Sequence, residues 1–282
     1  MKSVYWLLAA VFAGLLAAGS VYDLAFSLTV FRPDNAAALF LERFGAMPGN
    51  LLLVLFPAGL VAAAFAGRTT LSRAGGVVLL AGGGVLVAAG CAVFLSQLIE
   101  EGGLNAAVSA VVTAFFAAAA YLGFHAAAKK EPDAVYKIAL IGTATMIGAH
   151  AAVAVIKIIW GRQRFFTMDD PLTQFTAWFL PQGRASGDAY KSFPSGHSCA
   201  AGLLVCLLLF PTYLPVAARL KKAVVAVLVL YIPCVMVSRI VIGRHFISDV
   251  TAGAAIPFVV FFLFKFTVEK YFYLFKKICY KP

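Results

Sequence analysis

The sequence predicts an all-α polytopic membrane protein, a bundle of about eight transmembrane helices. Three observations carry that expectation. The chain of 282 residues is 62% hydrophobic before its 24 glycines are counted, and only 12% charged. A soluble domain is about 45–50% apolar with glycine included and about 25% charged. Eight apolar segments, near 4–22, 51–66, 75–98, 104–127, 135–157, 198–214, 222–242 and 249–268, approach the length of roughly 20 residues that a hydrocarbon core demands. The basic residues between them gather on alternate loops. These features exclude a water-soluble globular enzyme, a disordered chain, and collagen-like or disulfide-stapled folds.

The first segment follows Lys2 and ends in Ala17, Ala18, Gly19 and Ser20. That outline resembles a signal peptide, but because further spans follow it is read as an uncleaved first span. The loop 23–50 contains an amphipathic stretch, 35–44, expected as a short helix in the membrane interface, with Pro48 and Gly49 turning the chain into the second span. Gly82, Gly83 and Gly84, and the pair Gly142 and Gly148, predict close helix contacts. The cysteines (Cys91, Cys199, Cys206, Cys234, Cys279) are scattered and read as small buried hydrophobes without metal-site spacing. Residues 1–134 are taken as N-terminal membrane helices with their outer loop, and 135–282 as the domain carrying the chemistry.

The net charge is +11, from 23 Lys+Arg against 12 Asp+Glu. In a membrane protein that points to cytoplasmic loops and anionic lipid, not to nucleic acid. Lys2, Arg68, Arg73, Lys129, Lys130, Lys137, Arg219, Lys221, Lys222, Lys265, Lys270, Lys276, Lys277 and Lys281 all fall on one side if eight spans alternate. That side is expected to be cytoplasmic, with both termini on it. A second cluster, Lys157, Arg162, Arg164, Arg184, Lys191, Arg239 and Arg244, falls on the opposite face. It runs against the topological bias and calls for a functional reason such as phosphate binding.

Three groups of residues meet at that outer level. Lys157 and Arg164 are seven apart, about two helical turns. Pro194, Ser195, Gly196 and His197 form a turn into the sixth span, where Ser195 is a candidate helix cap and the exposed N–H groups favour an anion. Ser238 and Arg239 precede His245, which stands four residues before Asp249, a spacing that sets a carboxylate beside an imidazole.

The patterns Lys-x6-Arg, Pro-Ser-Gly-His and Ser-Arg-x5-His-x3-Asp, in that order, resemble the three signature motifs of the type 2 phosphatidic acid phosphatase (PAP2) family. The resemblance covers about the last half of the chain. It implies that Lys157, Arg164, Ser195, Gly196 and Arg239 bind the substrate phosphate. It also implies that His245 attacks phosphorus, that Asp249 orients its ring, and that His197 serves as acid and then base. The cations neutralise the phosphate oxygens, so no metal and no cofactor are expected. There is one departure, because Phe165 stands where the first motif usually carries proline. The rigidity of that loop is thereby in doubt, but no phosphate ligand is lost. With five spans before the first motif, the first half is longer than in the six-span plan usual in the family.

The expected partners are a lipid phosphate substrate and membrane lipids, with no obligate protein partner. The expected location is a bacterial inner membrane, with the site on its periplasmic or extracellular face. Candidate substrates are undecaprenyl diphosphate, phosphatidylglycerol phosphate, phosphatidic acid and lipid A. The first is favoured because Arg162 and Arg244 are candidates for a second phosphate or a headgroup, against interfacial snorkelling. Phosphotransfer through the same intermediate, or lipid binding without catalysis, are the alternatives. His125 and His150 are read as helix contacts, and Trp160, Phe165, Phe166, Trp178 and Phe179 as an aromatic belt, with a lipid-chain gate as the alternative.

Overall fold

The computed structural model describes residues 2–65, 73–216 and 218–279. Arg68 and Lys281, used above to orient the chain, lie outside the described residues, as do the side chains of Lys2, Arg73, Lys276, Lys277 and Cys279. The long helices are α1 (Lys2–Val30), α3 (Met47–Phe65), α4 (Arg73–Glu100), α5 (Ala106–Ala128), α6 (Pro132–Trp160), α10 (Ala218–Val241) and α11 (Ile247–Cys279). Shorter ones are α2 (Ala36–Phe44), α7 (Pro171–Gln174), α8 (Gly196–Gly202) and α9 (Leu209–Tyr213), the last two joined by a 3-10 turn, Leu203–Leu208. No strand occurs among the described residues. Among the described residues, eight helical segments are long and apolar enough to cross a membrane, as the hydropathy predicts.

The chain divides into two compact units. The first comprises 1–46, 149–203 and 227–258, and the second 47–148, 204–226 and 259–282, so each draws residues from both sides of residue 134.

In the second unit, α3 packs against α4 and α5. Small residues allow close helix contacts here: a Cβ on Gly83 of α4 would stand 3.0 Å from Val61 Cγ2 of α3, and one on Gly142 of α6 would run into the ring of buried Phe56 of α3. Gly148 lies against Val260 in the same way, at 3.0 Å. Gly82 and Gly84 meet nothing, because each residue along a helix turns about 100° and only Gly83 faces α3. His125 stacks on Tyr121, with ring centroids 5.6 Å apart. Cys206 is buried and Cys91 half-buried, consistent with packing roles.

The first unit contains the three motif regions. Asn35 caps α2 by accepting the Ala38 N–H at 2.9 Å. The turn after α2 lies at Gly45 and Ala46, and Pro48 and Gly49 already belong to α3, where proline suits a first turn. Tyr231 Oη donates to Gly45 O at 3.1 Å and fixes the end of α2 on α10. Helix α6 stops at Gly161, in the left-handed region at φ 59°. A side chain there would stand 2.5 Å from Gly183 O, so the turn requires glycine twice over. The last α6 carbonyls are satisfied by backbone N–H groups of the following loop: Gln182 to Trp160 O at 2.8 Å, and Ala185 to Ile158 O at 2.9 Å. Cys199 is buried, but Cys234 is exposed on α10 and is not the buried hydrophobe the sequence suggests.

Candidate active site

The first unit brings the three motif regions together. Arg239, Lys157 and Arg164 all lie close enough to His197 to act on its charge, and Lys157, Asp249 and Arg239 do the same to His245. Lys157 donates to Lys191 O at 2.6 Å, and its Cε is the nearest atom, at 3.9 Å, to a Cβ built on Gly196. Helical spacing is not what unites Lys157 with Arg164. The helix ends at Trp160, and Arg164 is set beyond the Gly161 turn by its N–H bond to Ala189 O at 2.8 Å. Its guanidinium faces Asp188 end-on, through Nη1 at 3.0 Å and Nη2 at 3.1 Å. Asp188 is largely exposed, so this pair is weak and readily replaced.

Arg239 is buried at the end of α10, and its Nε and Nη1, like Arg164 Nε, have no acceptor among the described residues. Buried donors of a guanidinium rarely go unpaired in a folded protein. These three are chemically suited to the oxygens of a bound phosphate.

Ser195 caps α8, accepting Ser198 N–H at 3.3 Å, while its own N–H donates to Asp249 O at 2.9 Å. Its hydroxyl oxygen also accepts from Ser198 Oγ at 3.1 Å and is fully buried, so it serves its own helix start. Helix α11 lies against this turn because Gly253 has no side chain; a Cβ there would collide with Ser195 O.

His245 is buried, and its Nδ1 lies 2.7 Å from Ser192 O but 3.7 Å from Asp249 Oδ2. The backbone carbonyl is therefore the nearer partner, where sequence spacing points to Asp249. A carbonyl only accepts, so Nδ1 carries the proton and the lone pair of the neutral ring is on Nε2. Asp249 is itself fully engaged. Oδ2 takes Ser192 Oγ at 2.5 Å and the Phe246 N–H at 2.9 Å, and Oδ1 takes Arg162 Nη1 at 2.6 Å. His197 Nε2 is 2.8 Å from Glu42 O, which by the same reasoning places its proton on Nε2.

Burial pushes the His245 imidazole down from an ordinary value of 6.5 to about 3, with Lys157 and Arg239 acting in the same direction and Asp249 against it. The ring is therefore neutral, and nucleophilic, through the physiological range. The unfolded ring takes up a proton below 6.5, whereas the folded ring does so only near 3. Across that window the unfolded state binds more protons, so stability falls as pH drops from 6.5 towards 3 and is unaffected above it. Melting temperatures in detergent should decline over this range, and less steeply for His245→Asn.

Arg162 departs from both readings the sequence allows. It neither snorkels nor faces a phosphate, being 1% exposed. Nη2 holds Asp23 at 2.9 Å, Nη1 holds Asp249 at 2.6 Å and Ser248 Oγ at 2.8 Å, and Nε donates to Thr176 O at 3.0 Å. Ser248 completes the network, donating to Asp23 from Oγ and, at 2.9 Å, from its N–H. Arg244 is not free either. It pairs with Glu42 Oε1 at 2.8 Å, and Glu42 also reaches Arg239 Nη2 at 3.5 Å.

Phe165 is buried, not part of a belt. It clusters with Met168 and Phe246, next to His245, and meets Phe31 edge-on at 5.2 Å. Packing holds this loop where the family motif would use proline. Trp160 and Trp178 both stack on Phe193, at 4.9 and 5.8 Å, whereas Phe166 and Phe179 are exposed.

The participants that sequence reading missed are Asp23, Glu42, Ser192 and Ser248. For Asp23 a signal existed, because an acid at the edge of a membrane span marks a function by default. Ser192, Ser248 and Glu42 carried no comparable sign.

Residues 138–272 match the family model of the PAP2 superfamily. A stretch of 81 residues is 35% identical to a protein of Bacillus subtilis (strain 168) named phosphatidylglycerophosphatase B. The match covers 28% of this chain and 40% of that relative, and thus less than half of the relative's length. No solved structure matches the chain.

Proposed function

Because residues 138–272 match the family model of the PAP2 superfamily, we propose that the protein is a multi-pass membrane phosphatase that removes phosphate from a lipid through a phospho-histidine. The observation that carries this reading is the set of buried, unpaired guanidinium donors on Arg239 and Arg164, the first acting on the charge of buried His245 and both on that of His197.

The chemistry follows from those positions. Lys157, Arg164 and Arg239 bind and neutralise the phosphate oxygens, with the Gly196 N–H at the turn. The Nε2 lone pair of His245 attacks phosphorus, and the Nδ1–H bond to Ser192 O keeps the ring aimed and strengthens as positive charge grows on it. Asp249, 3.7 Å away, stabilises that charge. His197 takes up a proton at Nδ1 from the bound phosphate monoanion and gives it to the leaving oxygen as the P–O bond breaks, while its Nε2–H stays on Glu42 O. The neutral ring then takes a proton from the water that cleaves the phospho-histidine. Phosphate and a lipid alcohol are the products, and both rings return to their starting states.

The positive-inside pattern supports a site on the outer face of the inner membrane, with both termini cytoplasmic. Among the candidate substrates, the relative's name favours phosphatidylglycerol phosphate.

Phosphate release tests the reading. Purified protein in detergent with EDTA would be given phosphatidylglycerol phosphate, phosphatidic acid, undecaprenyl diphosphate and lipid A in turn, with His245→Ala as the blank. Release from phosphatidylglycerol phosphate, absent from the blank and indifferent to EDTA, is the expected result. Release from none of the four would overturn the function, and activity lost to EDTA and restored by Mg²⁺ would overturn the metal-free chemistry.

A further inference from the structure

We infer that Glu42, on the short helix α2, is a specificity-determining residue that selects lipid phosphomonoesters against lipid diphosphates. The inference rests on the lipid-phosphatase reading and adds a substrate class to it. The residue lies outside the matched segment 138–272, so the family motifs do not include it.

Three contacts place Glu42 in the site. Its backbone carbonyl accepts from His197 Nε2 at 2.8 Å. Its carboxylate pairs with Arg244 Nε at 2.8 Å and with Arg239 Nη2 at 3.5 Å. The residue is held there from both ends of its helix, by the Asn35 cap and by the Tyr231 bond to Gly45 O.

The contact with His197 locates Glu42 relative to the reaction. His197 is the group that protonates the leaving oxygen, so the leaving group departs beside Glu42. When a phosphomonoester is cleaved, that group is a neutral alcohol, which a nearby carboxylate tolerates. When the terminal phosphate of a diphosphate is cleaved, the leaving group is itself a phosphate and meets a fixed negative charge.

The cations agree with this division. Arg239 presents Nε and Nη1 unpaired, while its Nη2 is turned to Glu42. The cations that the sequence offers for a second phosphate are Arg244 and Arg162. Arg244 is already neutralised by Glu42, and Arg162 is sealed between Asp23 and Asp249. The site thus has free donors for one phosphate and a carboxylate standing against a second. Repulsion built against the wrong ligand is an effective source of selectivity.

The experiment compares one isoprenoid chain carrying either a monophosphate or a diphosphate, using kcat/KM for wild type, Glu42→Gln and Glu42→Asp. A second readout is thermal stabilisation by inorganic pyrophosphate relative to orthophosphate. Glu42→Gln should raise the diphosphate-to-monophosphate ratio of kcat/KM by about tenfold or more and should gain stabilisation by pyrophosphate, whereas Glu42→Asp should keep a ratio near that of wild type. A merely structural role would lower both substrates together, and an unchanged ratio would overturn the inference. If wild type cleaves neither isoprenoid lipid nor any of the four lipids named above, the phosphatase reading fails. The pyrophosphate arm then decides Glu42 separately, an unaltered preference for orthophosphate overturning it.

Discussion

His245→Ala should reduce turnover by roughly 10⁴-fold or more, the scale on which removal of a single nucleophile acts in enzymes with a covalent intermediate. Phosphate binding should persist, because Lys157, Arg164 and Arg239 take their positions from other contacts: Lys191 O, Ala189 O and the α10 helix. The side chain is buried, so truncation also removes packing and the bond to Ser192 O. His245→Gln keeps more of the volume and separates the two effects. Both variants should be inactive, and only alanine should lower the melting temperature appreciably. Brief incubation with a radiolabelled lipid phosphate and an acid-labile, base-stable label on wild type alone would identify the phospho-histidine. Turnover retained by either variant would remove His245 from the nucleophile's role.

Arg162→Leu should be the most destabilising single change in the first unit, by about 3–5 kcal/mol, the penalty for breaking a buried ion pair and leaving its partners unbalanced. Two carboxylates, Asp23 and Asp249, would then face each other across an apolar side chain, with both already fully buried. Arg162→Lys should recover part of the loss, because one ammonium cannot reproduce a fork that bonds Asp23, Asp249, Ser248 and Thr176 at once. Asp23→Asn should be milder than either. Thermal unfolding in detergent reads the stability. A fall in kcat at unchanged KM in Arg162→Lys would show that Asp249, released from one anchor, no longer supports His245.

The membrane helices were legible because hydropathy is a local property and each span carries its own signal. The motif residues were legible because their spacings are fixed within short segments. What stayed hidden depends on the chain's turns. The seven-residue interval between Lys157 and Arg164 reads as helix, yet Gly161 adopts a left-handed conformation between them and sends Arg162 into the interior. The four-residue interval between His245 and Asp249 reads as a hydrogen bond, but the Ser192 carbonyl, 53 residues away in sequence, comes nearer. Nothing in the pattern around Glu42 distinguishes it from other polar residues of an interfacial helix. Its importance comes from His197, Arg239 and Arg244, to which no local signal connects it.

The tie between Asp23 and Arg162 bears on how this protein can be dissected. A fragment beginning at residue 138, where similarity to the superfamily starts, would contain every motif residue. It would nevertheless lack one carboxylate of the Arg162 network and the acceptor of the His197 proton. Recombinant trimming, chimaeras with shorter relatives and split-protein complementation should therefore keep α1 and α2 with the remainder. The boundary that similarity draws along this chain is not one at which the half bearing the motifs can be cut free.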